Sequence, residues 1–111
     1  MKYVPGYEAT VDRWATFWRG ESLRPMLHAI RPKPGVEPIA KPRPYDCAFG
    51  DLDAIARQAR GWAETHEFQG DTIPSFMITF CPDHFAALLG GEIRPGGGTG
   101  TNWVKPHIDS L

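Results

Sequence analysis

Residues 52–80 read LDAIARQARGWAETHEFQGDTIPSFMITF, and two different patterns meet in them. In the first half, Leu52, Ile55, Ala56, Ala59, Trp62, Ala63 and His66 recur at the spacing of one helical stripe. Arg57, Arg60, Glu64 and Glu67 take the solvated side, and Asp51 or Asp53 can cap the start. His66 closes the stripe near the negative helix end, and Gly70-Asp71 stops the helix. The second half, Thr72–Phe80, is mostly apolar on both faces, with Pro74 near its start. That pattern predicts a buried strand.

Upstream, Pro25-Met26-Leu27-His28-Ala29-Ile30 has the same character, short and apolar on both faces. Two buried strands joined through a long connection and a helix predict a right-handed β-α-β crossover with a parallel sheet. The expected class is therefore α/β. A helix precedes this unit: Val11, Trp14, Ala15 and Trp18 form one stripe, with Thr10 as N-cap and Gly20 at the close. Both tryptophans are expected to anchor that helix on its core. Downstream, Pro82-Asp83 opens a short helix carrying Phe85, Leu88 and Leu89, which Gly90-Gly91 ends.

Composition narrows the function classes. Twelve Lys and Arg against 13 Asp and Glu, net charge -1, give no basic excess for general nucleic-acid binding. No run approaches the roughly 18–20 apolar residues that span a bilayer. Met1-Lys2-Tyr3-Val4-Pro5-Gly6 has no apolar signal region, so a cytoplasmic protein with reduced thiols is expected. The two cysteines, Cys47 and Cys81, allow no disulfide framework.

The chemical motifs are sparse. Gly96-Gly97-Gly98-Thr99-Gly100-Thr101 is glycine-rich, but no Lys follows the last glycine as a phosphate loop requires. Cys81 and His84 are three apart, whereas zinc takes three or four ligands. His28, His66 and His107 are scattered, so no metal site is expected within this chain. Cys81, at the start of a helix, is placed where a dipole favours a thiolate, without a general base at a telling spacing. The segment Arg31–Pro44 carries prolines at 32, 34, 38, 42 and 44 between Arg31, Lys33, Lys41 and Arg43. It is a stiff, extended loop just after the carboxyl end of a strand, where parallel α/β folds bind ligands.

Several runs resemble the uroporphyrinogen decarboxylase superfamily. They are Asp12-Arg13-Trp14-Ala15-Thr16-Phe17-Trp18-Arg19-Gly20-Glu21, then Arg24-Pro25, then Gly70-Asp71-Thr72-Ile73-Pro74-Ser75-Phe76. Cys81-Pro82, the stretch Ala86-Ala87-Leu88-Leu89-Gly90-Gly91, and Asn102-Trp103-Val104-Lys105-Pro106 continue the pattern. The similarity covers nearly the whole chain from about Thr10, and is nearest the branch of decarboxylase-like proteins and corrinoid-dependent methyltransferases. It implies a (β/α)8 TIM barrel with its active site at the carboxyl ends of the strands.

A barrel of that kind takes roughly 250 residues. The 111 residues therefore read as one N-terminal portion, 1–111, holding a preceding helix and a β-α-β part of the barrel. By the resemblance, Arg31 matches the first of the arginines that hold substrate carboxylates, and His28 lies near the same mouth. The rest of the haem-pathway arginine motif is missing after Ile30-Arg31-Pro32-Lys33-Pro34-Gly35, and Thr79-Phe80-Cys81 lacks the acid that meets pyrrole nitrogens. The resemblance to the methyltransferase branch implies a parent that is a methyltransferase linked to zinc and a corrinoid protein, acting on a small anionic substrate. A decarboxylase of a tetrapyrrole or another carboxylated substrate is the second reading. The third is a stand-alone module offering Arg31–Pro44 to an aromatic groove.

Overall fold

The computed structural model describes residues 2–96 and 100–106. In chain order these form α1 (Tyr7–Trp18), β1 (His28–Pro32), a 3-10 turn (Pro44–Ala48), α2 (Leu52–Thr65) and β2 (His66–Gly70). They continue with α3 (His84–Leu88), β3 (Glu92–Pro95) and β4 (Asn102–Lys105). The chain mixes helix and strand, and its strands pair as two separate two-stranded antiparallel sheets, β1 with β2 and β3 with β4. Two compact units result: residues 2–41 with 58–75, and residues 42–57 with 76–106.

In the first unit, the register places His28 opposite Gly70, Ile30 opposite Phe68 and Arg31 opposite Glu67. The expected parallel β-α-β crossover is not formed among the described residues. One reason lies in His66–Gly70, where the helical stripe overran a short strand. His66, Phe68 and Gly70 alternate with Glu67 and Gln69, the period of a half-solvated strand. α2 therefore ends at Thr65, and the chain reverses directly into β2.

The expected strand Thr72–Phe80 is likewise absent; residues 72–79 have no regular structure. Gly70, at φ 69, turns the chain, and Pro74 has no N–H to offer a ladder. Thr72 ends the pairing instead: its hydroxyl accepts from Ala29 N–H at 2.9 Å and donates toward Gln69 O at 2.7 Å. β1 also starts later than expected, at His28, and is largely exposed. Among the described residues its one partner strand is β2.

α1 begins at Tyr7 behind Gly6, so Thr10 lies inside the helix, buried, and is not the N-cap. Gly20, at φ 74, closes the helix as expected. Trp14 is half-buried, but Trp18 stacks on it at 6.3 Å and stays 77% exposed, so only one tryptophan anchors. α2 follows its expected stripe, with Ile55, Trp62 and Ala63 buried and Asp51 Oδ1 capping the N–H groups of Asp53 and Ala54. The proline-rich segment lies along the end of α2. Ile39 N–H donates to Thr65 Oγ1 at 3.1 Å, Lys33 N–H to Thr65 O at 2.9 Å, and Gln58 Nε2 to Ala40 O at 3.0 Å. The Lys41 ammonium sits over the Trp62 ring, 4.6 Å from its centre.

In the second unit, β3 and β4 form a hairpin that the sequence reading missed. The glycine-rich run is its connection, closed by Gly96 N–H to Thr101 O at 2.8 Å; Gly97, Gly98 and Thr99 lie outside the described residues. Asn102 is buried and its Nδ2 donates to Tyr45 O at 3.1 Å and Phe80 O at 2.8 Å. That amide fixes the hairpin to the turn that holds Cys47 and to the backbone before Cys81.

The turn at Gly70 yields a direct test. A Cβ there would meet the Leu27 carbonyl oxygen at 2.6 Å, whereas a Cβ at Gly20 would meet open space. Both positions have positive φ, and the left-handed conformation alone costs an L-residue about 1–2 kcal/mol. Gly70→Ala is expected to lower the urea midpoint clearly more than Gly20→Ala, because backbone must also move. Equal shifts would contradict this register.

Candidate functional site

Residues far apart in sequence converge on Asp71, whose side chain has no exposure to solvent. α1 delivers Arg13, and Trp14 one residue later on the same helix. The connection after α1 delivers Arg24, and the start of β1 delivers the Leu27 amide. Arg24 grips the carboxylate with two parallel bonds, Nη1 to Oδ2 and Nη2 to Oδ1, both 2.8 Å. Arg13 Nε donates to Oδ1 at 2.6 Å, and Leu27 N–H to Oδ2 at 2.9 Å. Each oxygen thus accepts two N–H groups, which uses the full acceptor capacity of a carboxylate.

The backbone of Asp71 is engaged as well. Its carbonyl accepts from the Trp14 indole at 2.8 Å, and its N–H donates to Leu27 O at 2.7 Å. Arg13 Nη2 continues to Thr10 Oγ1 at 2.9 Å. The Arg24 fork, followed by the Leu27 amide and Arg13, holds the Asp71 carboxyl well below the usual carboxylate range. Nothing in this cluster is left to take up a proton or a metal near neutral pH. Its chemistry is that of a clamp.

The sequence-predicted site residues lie elsewhere in the same unit. Arg31, in β1, pairs across the sheet with Glu67 of β2, Nε to Oε2 at 2.7 Å. Arg31 stays 59% exposed, and the Gln69 side-chain carbonyl accepts from it as a second partner. His28 is exposed at the opposite end of β1. Three residues apart on a strand, His28 and Arg31 point to opposite faces. The structure does not bring them together.

The nucleophile and metal candidates resolve plainly. Cys81 and Cys47 are free thiols, both buried, and Cys81 has no exposure. α3 behind Cys81 is only five residues long, a weak dipole. His84 Nδ1 meets the Cys81 carbonyl at 3.2 Å, not its sulfur. Among the described residues no three His, Cys, Asp or Glu side chains gather as a metal would need. His107 lies outside those residues. No helix among them is long and apolar enough to cross a membrane.

In the sequence Asp71 reads only as a helix stop and a motif member. An acid one residue after a turn glycine, with unpaired arginines upstream, was the available signal.

Two outcomes test these assignments. The folded Asp71 carboxyl is depressed, so its contribution to stability is present above the unfolded value of about 3.9 and is lost as pH falls below it. Asp71→Asn is expected to be destabilised at pH 7 and to show a shallower loss on acidification than the wild type. Parallel pH curves would contradict the clamp. For the exposed Arg31–Glu67 pair, Arg31→Ala is expected to change unfolding free energy by only about 0–1 kcal/mol. A larger loss in urea titration would make Arg31 a structural residue. No protein-family model, curated protein or solved structure matches this chain.

Proposed function

We propose that residues 1–111 are the N-terminal part of a uroporphyrinogen decarboxylase-like protein with a TIM barrel, whose parent performs methyl transfer linked to zinc and a corrinoid protein. The observation that supports this reading is the convergence on Asp71. Arg13 and Trp14, Arg24, and Asp71 with Thr72 come from three separate runs that carry the resemblance. One buried carboxylate makes those residue types and their order physically interdependent. In this reading the chain supplies framework and one edge of a substrate site, and the reacting groups belong to the parent.

The exposed apolar surface fits such a part. Leu23, Trp18, Phe85 and Leu88 are all more than two-thirds exposed, while few large apolar side chains are buried. Arg31 is the residue offered to an anionic substrate: its guanidinium is exposed and can exchange Glu67 for a substrate carboxylate with two parallel bonds. The tetrapyrrole decarboxylase reading needs several such cations together, and here Arg31 stands without its motif partners. The reading of Arg31–Pro44 as a free proline-rich ligand is disfavoured, because that segment is already bonded to α2 through Ile39, Ala40 and Lys33.

The test is made on the parent protein, purified with its metal content measured and offered a methyl donor together with a reduced corrinoid. Bound zinc and methylated corrinoid are the expected results, with neither from residues 1–111 alone. In the parent, Arg31→Ala should weaken anionic substrate binding by roughly 10- to 150-fold, the value of a charge-assisted bond. Carbon dioxide released from a carboxylated tetrapyrrole without methyl transfer would overturn the proposal in favour of the decarboxylase.

A further inference from the structure

In the first unit, the chain ahead of α1 and the β2 strand enclose a cleft of about 380 Å³. Tyr3, Pro5 and Phe68 give it apolar walls, and Lys33 and His66 stand among them. The charges around the cleft do not cancel. Lys2 Nζ pairs with Glu64 Oε1 at 3.1 Å, and Tyr3 OH donates to the same oxygen at 3.3 Å. Glu67, which also lines the cleft, is neutralised by Arg31. Lys33 is the remaining cation. Its ammonium donates to a neutral acceptor, the Glu64 carbonyl, at 2.6 Å, and among the described residues it meets no carboxylate.

We propose that this cleft binds a small carboxylate carried on an apolar, preferably aromatic, body. Lys33 would hold the carboxylate, using donors that the Glu64 carbonyl leaves free on a three-donor ammonium. Tyr3, Pro5 and Phe68 would cover the apolar body. The His66 ring is already oriented by its Nδ1, 2.9 Å from the Trp62 carbonyl, and a neutral ring that donates there presents Nε2 as an acceptor. A ligand with a hydroxyl beside its carboxylate could use that nitrogen as well. The half-burial of Lys33 matters, because a charge partly removed from water gains more from an anionic partner than an exposed one does. This inference rests on the local geometry and stands apart from the family reading.

The probe is benzoate, titrated into the chain and followed by amide and side-chain NMR shifts. Saturable shifts confined to Tyr3, Lys33, His66 and Phe68 are expected, with no comparable binding of benzyl alcohol, which keeps the ring and lacks the charge. Lys33→Gln retains a donor for the Glu64 carbonyl and removes the cation. It should preserve the dispersed spectrum and weaken benzoate binding about tenfold or more. Lys33→Arg, which keeps the charge, should restore part of that loss. Absence of saturable shifts, equal affinity for benzyl alcohol, or unchanged binding by a folded Lys33→Gln variant would each overturn the proposal.

Discussion

A carboxylate removed from water is costly unless every acceptor site finds a partner, and Asp71 meets that condition with two guanidinium groups and one amide. The consequence reaches beyond the ion pair. Arg13 and Arg24 lie on either side of the end of α1, so satisfying one carboxylate fixes both where the helix lies and where the chain leaves it. Leu27 exchanges bonds with Asp71 in both directions, which aligns β1 against the end of β2. One residue after Asp71, the Thr72 hydroxyl accepts from the Ala29 N–H and adds a second tie to β1. The sheet register is therefore set at one end by polar contacts, not by apolar packing.

That arrangement suits a unit with little core. Among the described residues Val4, Trp62 and Ala63 are its buried apolar ones, and Phe68 meets the Trp62 ring edge-on at 5.2 Å. Charge-assisted bonds are directional, so they hold a unique geometry where a thin apolar layer would permit several. The second unit uses a neutral version of the same device. Asn102 ties two backbone carbonyls together beside the buried Cys47 and Cys81.

Legibility in the sequence followed the physics of each element. α2 was readable in its stripe and cap but not at its end, because the stripe runs on through His66 into β2. α1 was readable in its body and not at its start, because Gly6 caps it through backbone conformation without a side-chain signal. The strands were misjudged for a shared reason. Apolar runs at Pro25–Ile30 and Thr72–Phe80 look like buried parallel strands, yet the paired residues are the more polar His28–Pro32 and His66–Gly70. What selects those residues is the Asp71 clamp, a contact between positions 44 to 58 residues apart that no local pattern reports. The cross-strand partner of Arg31 was not legible, because Glu67 reads in the sequence as the solvated side of a helix that ends before reaching it. The cleft beside Lys33 depends on the segment ahead of α1 folding back onto Glu64, and nothing in that short stretch announces it.

Asp71 is an ionised, fully bonded carboxylate that holds the first unit together. Its carboxyl carbon, labelled and followed by NMR during acidification, reports this directly. Asp71 should keep its ionised chemical shift at pH 3, where an unpaired aspartate with a value near 3.9 is mostly protonated. A titration of that carbon near the ordinary aspartate value, with the fold intact, would contradict it.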